Sequence, residues 1–252
     1  IRLSMNKITI SFLITFIAGL STCIGIFPTY LNNKYRDNII NFSLSFASSI
    51  MITISFISLI PESLKYLKKI NLFSILFVLI FINIGIIISI FIDKKLSNKI
   101  NNNNLFKTGI FGLIAIILHN IPEGITTFIT SSNDLKIGIS MALAITLHNI
   151  PEGISISVPL YYSTNSHKKA FIYTFISGFS EFLGAILSYL FLSKYINNYV
   201  MSIILSITSG IMIQISLYEL LPLSFKYKNN ITYIGLFLGF IIMCICIFIF
   251  KI

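Results

Sequence analysis

The stretch LHNIPEGI at residues 118–125 returns letter for letter at residues 147–154. Each copy places histidine, asparagine, proline and glutamate inside an apolar run, in a chain that has only three histidines and eight acidic residues. Aligning Lys107 with Lys136, an offset of 29 residues, also pairs glycine with glycine two residues later. The two segments are therefore related, and their polar residues are the first candidates for a functional site.

The composition is typical of an integral membrane protein, because 56% of the residues are hydrophobic and only 10% are charged. Runs of at least about 20 residues with no charge, or with a single glutamate, predict eight transmembrane helices. We therefore expect an all-α protein with one domain, residues 1–252, embedded in the lipid bilayer. The predicted spans are about 8–30, 39–60, 71–92, 106–131, 136–161, 170–193, 198–222 and 230–251.

The net charge of +10 comes from 18 lysines and arginines that are distributed over the short links between the spans. In these places they act as interfacial anchors and topology signals, so the charge does not indicate nucleic-acid binding. Cys23, Cys244 and Cys246 all lie in apolar runs, and no disulfide framework is predicted.

The two motif copies fall in the fourth and fifth spans, which their short link makes antiparallel. His119 and His148 each lie 12 residues after the lysine that opens the span (119 − 107 and 148 − 136). At ~1.5 Å per residue this is about 18 Å, near the middle of a hydrocarbon core ~30 Å thick. Inverted repeats of this kind commonly place a transporter's binding site at the bilayer midplane. We expect the two motifs to face each other there.

Within each copy, histidine at position i and glutamate at i+4 share one face of a helix, and asparagine at i+1 stands three residues before the same glutamate. Imidazole, carboxylate and amide oxygen without thiolate suit Zn²⁺, Fe²⁺, Mn²⁺ or Cd²⁺ better than Cu⁺. Two histidines and at least two glutamates exceed the needs of one tetrahedral ion, which predicts a two-metal site bridged by Glu123 and Glu152. The candidate ligands are His119, Asn120, Glu123, His148, Asn149 and Glu152.

Glu181 adds a third carboxylate, in the middle of the sixth span. An ionised carboxylate at the bilayer centre costs at least ~2.5 kcal/mol, so it needs a partner. Three carboxylates without a cation would repel one another, whereas two divalent ions bring four positive charges against three negative ones. The charge count therefore favours a pair of metal ions.

Three further polar residues lie nearer the membrane surfaces. Glu62 and Glu219, at the ends of the second and seventh spans, are either simple interfacial carboxylates or parts of a metal access or release path. His167, in the loop TNSHKK, is expected to be solvated.

These motifs resemble those of the ZIP family of divalent-metal transporters, in particular its bacterial-type branch. The resemblance covers nearly the whole chain and rests on HNIPEG, HNIPEGIS, SEFLGA and YELLP in spans four to seven. It implies an eight-helix bundle in a three-two-three arrangement, with both chain ends outside the cytosol. One ion would bind to His119, Glu123, His148 and Glu152, and a second to Asn120, Glu123, Asn149, Glu152 and Glu181.

Two residues depart from the family pattern. Phe182 stands where the family commonly has proline, so the resemblance does not predict the backbone conformation near Glu181. Tyr218 stands where an acidic residue is frequent, which weakens a role of Glu219 in metal release.

The sequence favours a secondary transporter that carries Zn²⁺, and with it Fe²⁺, into the cytosol as substrate, with no catalytic cofactor. An intramembrane zinc hydrolase with Glu181 as base is the enzyme alternative. The third interpretation is a structural or receptor-like helix bundle in which metal only holds the helices together. We expect a multi-pass protein of the plasma membrane, with an organelle membrane as the alternative. The preference among zinc, iron, manganese and cadmium stays open, as does the oligomeric state, including a homodimer.

Overall fold

The computed structural model describes residues 5–67, 70–97, 104–192, 197–226 and 230–250. Within these residues the chain forms eight helical rods, α1 to α8, and no strand. The predicted all-α fold class is confirmed. The outer limits of the predicted domain and the predicted span ends at residues 193 and 251 lie outside the described residues.

Four rods are α-helices throughout: α3 Leu72–Ser97, α4 Asn104–Asn133, α5 Leu135–Thr164 and α8 Ile231–Phe250. The other four change helix type along their length. α1 is an α-helix over Met5–Leu20 and a 3₁₀ helix over Ser21–Tyr30, and a 3₁₀ turn at Asn33–Tyr35 leads into α2. α2 and α7 each contain a π-helical turn between two α-helical segments. In α2 the turn is Ser55–Leu59, between Arg36–Ile54 and Ile60–Tyr66. In α7 the turn is Ser216–Leu220, between Asn198–Ile215 and Leu221–Phe225. α6 comprises His167–Leu187 and a π-helical turn at Ser188–Leu192.

Seven of these rods are long and apolar enough to cross a membrane, judged by length and composition. α5 is the exception, although its 30 residues would suffice in length. It is more polar because it carries His148, Asn149 and Glu152 together with several serines. These side chains are covered by neighbouring helices, since α5 lies against α1, α2, α4, α6 and α8.

The rods divide into two groups of four that pack mainly among themselves. The site group is α1, α4, α5 and α6, and the frame group is α2, α3, α7 and α8. Side-chain hydrogen bonds to neighbouring helices reinforce each group. Ser157 Oγ donates to the backbone oxygen of Gly25 at 2.6 Å in the first, and Ser49 Oγ donates to that of Leu236 at 2.7 Å in the second. The three-two-three order along the chain thus becomes a four-and-four arrangement in space.

Successive rods alternate in direction, so their ends lie on two faces. Antiparallel contacts between α2 and α7 reflect this, with Ser48 Oγ 3.0 Å from Ser216 O and Ser63 Oγ 3.1 Å from Ser202 O. We call face 1 the face at which α1 begins and face 2 the face at which it ends. α2 and α4 run from face 2 to face 1, whereas α5 and α7 run the other way.

A tight hairpin of α4 and α5 forms the centre of the site group. Asp134 alone joins the two helices, and its Oδ1 caps α5 by accepting from the backbone nitrogens two and three residues on, at 2.8 and 3.1 Å. A Cβ atom at Gly138 would collide with Ser131, and one at Gly109 with Leu160. These glycines keep the two helices in close antiparallel register near both ends of the hairpin.

Candidate metal centre

The predicted ligands of α4 and α5 meet in one buried cluster between the two helices. His148 Nε2 lies 2.9 Å from Glu123 Oε1, and His119 Nε2 lies 3.3 Å from Glu152 Oε1. His119 Nε2 is also 3.1 Å from Glu123 Oε1 of its own helix, as the i, i+4 spacing predicts. The relative exposure of these four residues is 8% or less. Each histidine therefore reaches the glutamate of the opposite helix in a water-poor setting.

The cluster has the separations and the unpaired atoms of a metal site. Ligand atoms ~2.1 Å from a tetrahedral zinc ion lie about 3.4 Å from one another, close to the distances above. Ligand atoms of His119, His148 and Glu152 all lie within 4.8 Å of one another. Glu123 Oε2 and Glu152 Oε2 are buried without a hydrogen-bond partner, and His119 Nε2 meets Glu152 Oε1 at 3.3 Å without the geometry of a hydrogen bond. Buried polar and charged groups need compensation, which a divalent cation bound to these atoms would supply.

The two asparagines are held by their amide nitrogens. Asn120 Nδ2 donates to the backbone oxygen of Ser177 at 3.1 Å, and Asn149 Nδ2 donates to that of Ala18 at 3.0 Å. Because these acceptors are carbonyl oxygens, each amide must present its NH₂ group to them. Both Oδ1 atoms are buried without a hydrogen-bond partner, so they are free to ligate a cation.

Glu181 joins the cluster through Asn149, whose Nδ2 also donates to Glu181 Oε2 at 2.9 Å. Glu181 is 0% exposed, and its Oε1 atom has no hydrogen-bond partner. α6 runs as an unbroken helix through Phe182, so the departure from the family pattern there does not interrupt the backbone. The seven predicted residues thus lie on adjoining parts of α4, α5 and α6, and their role as ligands stays a prediction.

The helices continue through the prolines of both motifs, and the glycine that follows lets a third helix approach. α4 and α5 remain α-helical at Pro122 and Pro151. A Cβ atom at Gly124 would overlap the backbone oxygen of Glu181, and one at Gly153 would overlap that of Thr22. α6 and α1 therefore pack directly on the backbones of α4 and α5, as small residues allow in membrane helices.

A second repeat, which the sequence interpretation missed, relates α1 to α6. TFIAGLSTCIG at residues 15–25 and TFISGFSEFLG at residues 174–184 share six of eleven residues at an offset of 159. Ala18 and Ser177, which accept the two asparagine hydrogen bonds, occupy equivalent positions in it. The two repeats together surround the cluster with approximate twofold symmetry.

Glu62 lies on the wall of a path that leads from the cluster to face 1. A cavity of about 30 Å³ touches Glu123 and His148, and one of about 300 Å³ adjoins it toward the ends of α2 and α4. The residues that line both cavities are Ser58, Glu62, Thr126 and Met141. A carboxylate therefore stands between the cluster and face 1.

Glu219 lies on the other side of the cluster, toward face 2, in an ion-paired group. Lys107 Nζ lies 2.7 Å from Asp93 Oδ1 and 3.5 Å from Glu219 Oε1. The three residues come from α4, α3 and α7, so the group joins the site group to the frame group.

His167 was expected to be solvated, but the structure leaves it only half-exposed. His167 is the first residue of α6, and its ring stacks between those of Tyr30 and Tyr161 at centroid distances of 4.2 and 4.3 Å. Its Nδ1 atom lies 3.1 Å from Thr29 Oγ1. α1 and α5 end at face 2 beside the start of α6, and one tyrosine from each stacks on the imidazole ring.

Comparisons with known proteins agree with this architecture. The family described as ZIP Zinc transporter matches residues 97–247. The zinc transporter ZupT of Clostridium perfringens is 36% identical over 279 aligned positions that cover 98% of both chains. That of Streptococcus mutans is 38% identical over 256 positions, covering 95% of this chain and 97% of the relative, and that of Campylobacter jejuni is 34% identical over 284 positions, covering 97% of each. The chain is a multi-pass membrane protein, as predicted, and it belongs to the ZIP zinc transporter family.

Proposed function

We propose that the chain carries divalent transition metal ions, Zn²⁺ and also Fe²⁺, across the membrane into the cytosol, with the metal as its substrate. The observation that carries the proposal is the buried cluster of histidines and glutamates between α4 and α5, in which several potential ligand atoms, including Glu123 Oε2 and both carboxylate oxygens of Glu152, lack hydrogen-bond partners. The relatives named above are zinc transporters, which agrees with this substrate. Because the family is one of transporters, intramembrane hydrolysis is set aside.

Two ions share the proposed site, bridged by Glu123 and Glu152. Their four positive charges nearly balance the three negative charges of the buried carboxylates. A single ion would leave a net negative charge. Nitrogen and oxygen ligands of this kind suit both zinc and iron. The first ion is held by His119, Glu123, His148 and Glu152. The second is held by Asn120, Glu123, Asn149, Glu152 and Glu181.

Ions reach the cluster from face 1, which we place on the outer side of the plasma membrane. The cavities beside Glu62 provide the approach, and this carboxylate attracts cations to their wall. A cavity that extends to the ligands favours transport over a bundle that metal merely staples. Assembly into a homodimer stays a prediction.

Face 2 is closed by an apolar plug between the two helix groups. Two polar bridges flank the plug: Lys107 with Asp93 and Glu219, and Arg36, whose Nη2 atom donates to the backbone oxygen of Tyr162 at 3.3 Å. A site open to one face and closed to the other is what alternating access requires. The plug consists of six residues that are at most 1% exposed: Ile40, Leu44, Phe111, Val158, Met212 and Ile215.

Removing the Lys107 bridge is expected to open the face-2 side. Lys107→Met takes away the charge that ties α4 to α3 and α7, so a cysteine placed in the plug as Val158→Cys should react with a maleimide at least about fivefold faster. The rate is measured on purified protein in lipid nanodiscs. The three native cysteines are first replaced by alanine: Cys23, Cys244 and Cys246.

Lys136→Met is the matched control for this measurement. Lys136 occupies the place in α5 that Lys107 has in α4, and it is exposed near face 1. Its replacement should leave the labelling of Val158→Cys unchanged. If Val158→Cys reacted no faster in the Lys107→Met protein than in the protein that keeps Lys107, the result would contradict the proposed closure.

Zinc uptake and metal competition test the proposed substrate. Proteoliposomes are expected to accumulate radioactive zinc, and about a tenfold excess of Fe²⁺ should lower the accumulation by roughly half or more, because the same ligands suit both ions. Mg²⁺ is the control, since it keeps its waters and prefers oxygen ligands, and it should have little effect. Accumulation no greater than in protein-free vesicles would overturn the proposal.

A further inference from the structure

The repeat that relates α1 to α6 places Thr22 where Glu181 stands. Its offset of 159 residues carries position 22 onto position 181. The backbone contacts obey the same relation, because Gly153 meets the carbonyl oxygen of Thr22 as Gly124 meets that of Glu181. The two positions are therefore equivalent in structure as well as in sequence.

The Cβ atoms of Thr22 and Glu181 also occupy matching positions. A Cβ atom at Gly19 would lie 3.1 Å from the Cβ atom of Glu181, and one at Gly178 would lie 3.1 Å from the Cβ atom of Thr22. Gly19 and Gly178 are themselves partners in the repeat. Thr22 thus approaches the crossing of α1 and α6 from one side as Glu181 does from the other.

Thr22 is buried like Glu181, but it carries no charge. It is 0% exposed, and its Oγ1 atom donates to the backbone oxygen of Gly19 at 2.8 Å. The hydroxyl oxygen keeps lone pairs that are able to accept a hydrogen bond or face a cation. Asn149 donates to the Glu181 carboxylate at 2.9 Å; in the two repeats Asn120 is the counterpart of Asn149, and Thr22 is the counterpart of Glu181.

We propose that Thr22 sets the charge of the metal centre, and with it the affinity for the ions, by holding a neutral side chain opposite Glu181. This inference deepens the proposed function and rests on it. Two divalent ions on three carboxylates leave a net charge of +1 (4 − 3), whereas a fourth carboxylate at position 22 would reduce it to zero and hold the ions more tightly. A transport site must bind its ion and also release it, and a neutral residue here favours release.

Exchanging the two side chains tests the assignment. The Kd for Zn²⁺ is measured by calorimetry on the purified protein in nanodiscs. Glu181→Thr is expected to raise the Kd at least about tenfold, and adding Thr22→Glu to return it to within about threefold of the original value. Thr15→Glu, combined with Glu181→Thr, is the matched control. It places the same carboxylate two turns earlier on α1, at another buried threonine, and should not restore binding.

A folded exchange variant whose Kd stays as high as that of Glu181→Thr alone would overturn the assignment. Where the exchange variant does not fold, the Kd for Zn²⁺ is measured instead on Thr22→Asp in the otherwise unchanged chain. A Kd at least about tenfold lower supports the assignment, and an unchanged or higher Kd overturns it. Binding is measured without transport, so a failure of this inference is distinguishable from a failure of zinc uptake.

Discussion

Zinc uptake is expected to fall at least about a hundredfold, to the level of protein-free vesicles, when Glu123 and Glu152 are both replaced by alanine. The two carboxylates face His148 and His119 across the hairpin at 2.9 and 3.3 Å, so the double variant removes both crossed pairs. It also removes the two proposed bridges between the ions and leaves Glu181 as the last carboxylate of the cluster. The measurement is the accumulation of radioactive zinc by proteoliposomes that hold equal amounts of protein.

Two further variants separate the loss of ligands from the loss of packing. Glu123→Gln with Glu152→Gln keeps the shape of both side chains and removes their charge, and it should abolish uptake as well. Asp37→Ala removes an exposed carboxylate at the start of α2 and should leave uptake unchanged. Full uptake by the double alanine variant would refute the role of the cluster in transport.

A single methyl group at Gly124 is expected to destabilise the protein and to weaken zinc binding. The new Cβ atom of Gly124→Ala would overlap the backbone oxygen of Glu181, so α6 must move away from α4 and carry Glu181 with it. Overpacking of this kind typically costs about 1–3 kcal/mol, which outweighs the roughly 1 kcal/mol by which alanine is favoured over glycine in a helix. The thermal midpoint of the protein in detergent should fall, and its Kd for zinc should rise.

Gly112→Ala is the matched control on the same helix. The nearest atom to its added Cβ, the backbone oxygen of Ser155, is 3.8 Å away, which is ordinary van der Waals contact. This variant should have an unchanged or slightly higher midpoint, because only the helix propensity changes. Equal midpoints for Gly112→Ala and Gly124→Ala would contradict the close packing of α6 on α4.

The α4–α5 hairpin could be predicted because its signals are local. The motif repeats at an offset of 29, and Lys107 and Lys136 stand at equal distances before the two histidines. Helical periodicity predicts the contact of His119 with Glu123, four residues on. It does not predict the contact of His148 with Glu123, which depends on how two helices rotate against each other.

Other features of the site depend on residues that are distant in sequence. Lys107 meets Asp93 and Glu219 because three helices converge near face 2, and no local pattern reports that convergence. The ring stacking of His167 depends on tyrosines that two other helices supply. The α1–α6 repeat was visible in principle, but its identities are mostly threonine, glycine, serine and apolar residues, which are common throughout this chain.

The crossed arrangement of histidines and glutamates also bears on how the protein is made. His148 reaches Glu123 and His119 reaches Glu152, so each pair joins a helix that leaves the ribosome early to one that follows it. A nascent chain that ends within α4 holds at most three of the seven proposed ligands and cannot assemble the cluster. An ion that binds the complete cluster stabilises the finished hairpin over every partly inserted form, because ligands stabilise the state that binds them. Under the proposed function, the cargo assists the folding of its own carrier, and we expect zinc-starved cells to contain fewer correctly folded copies.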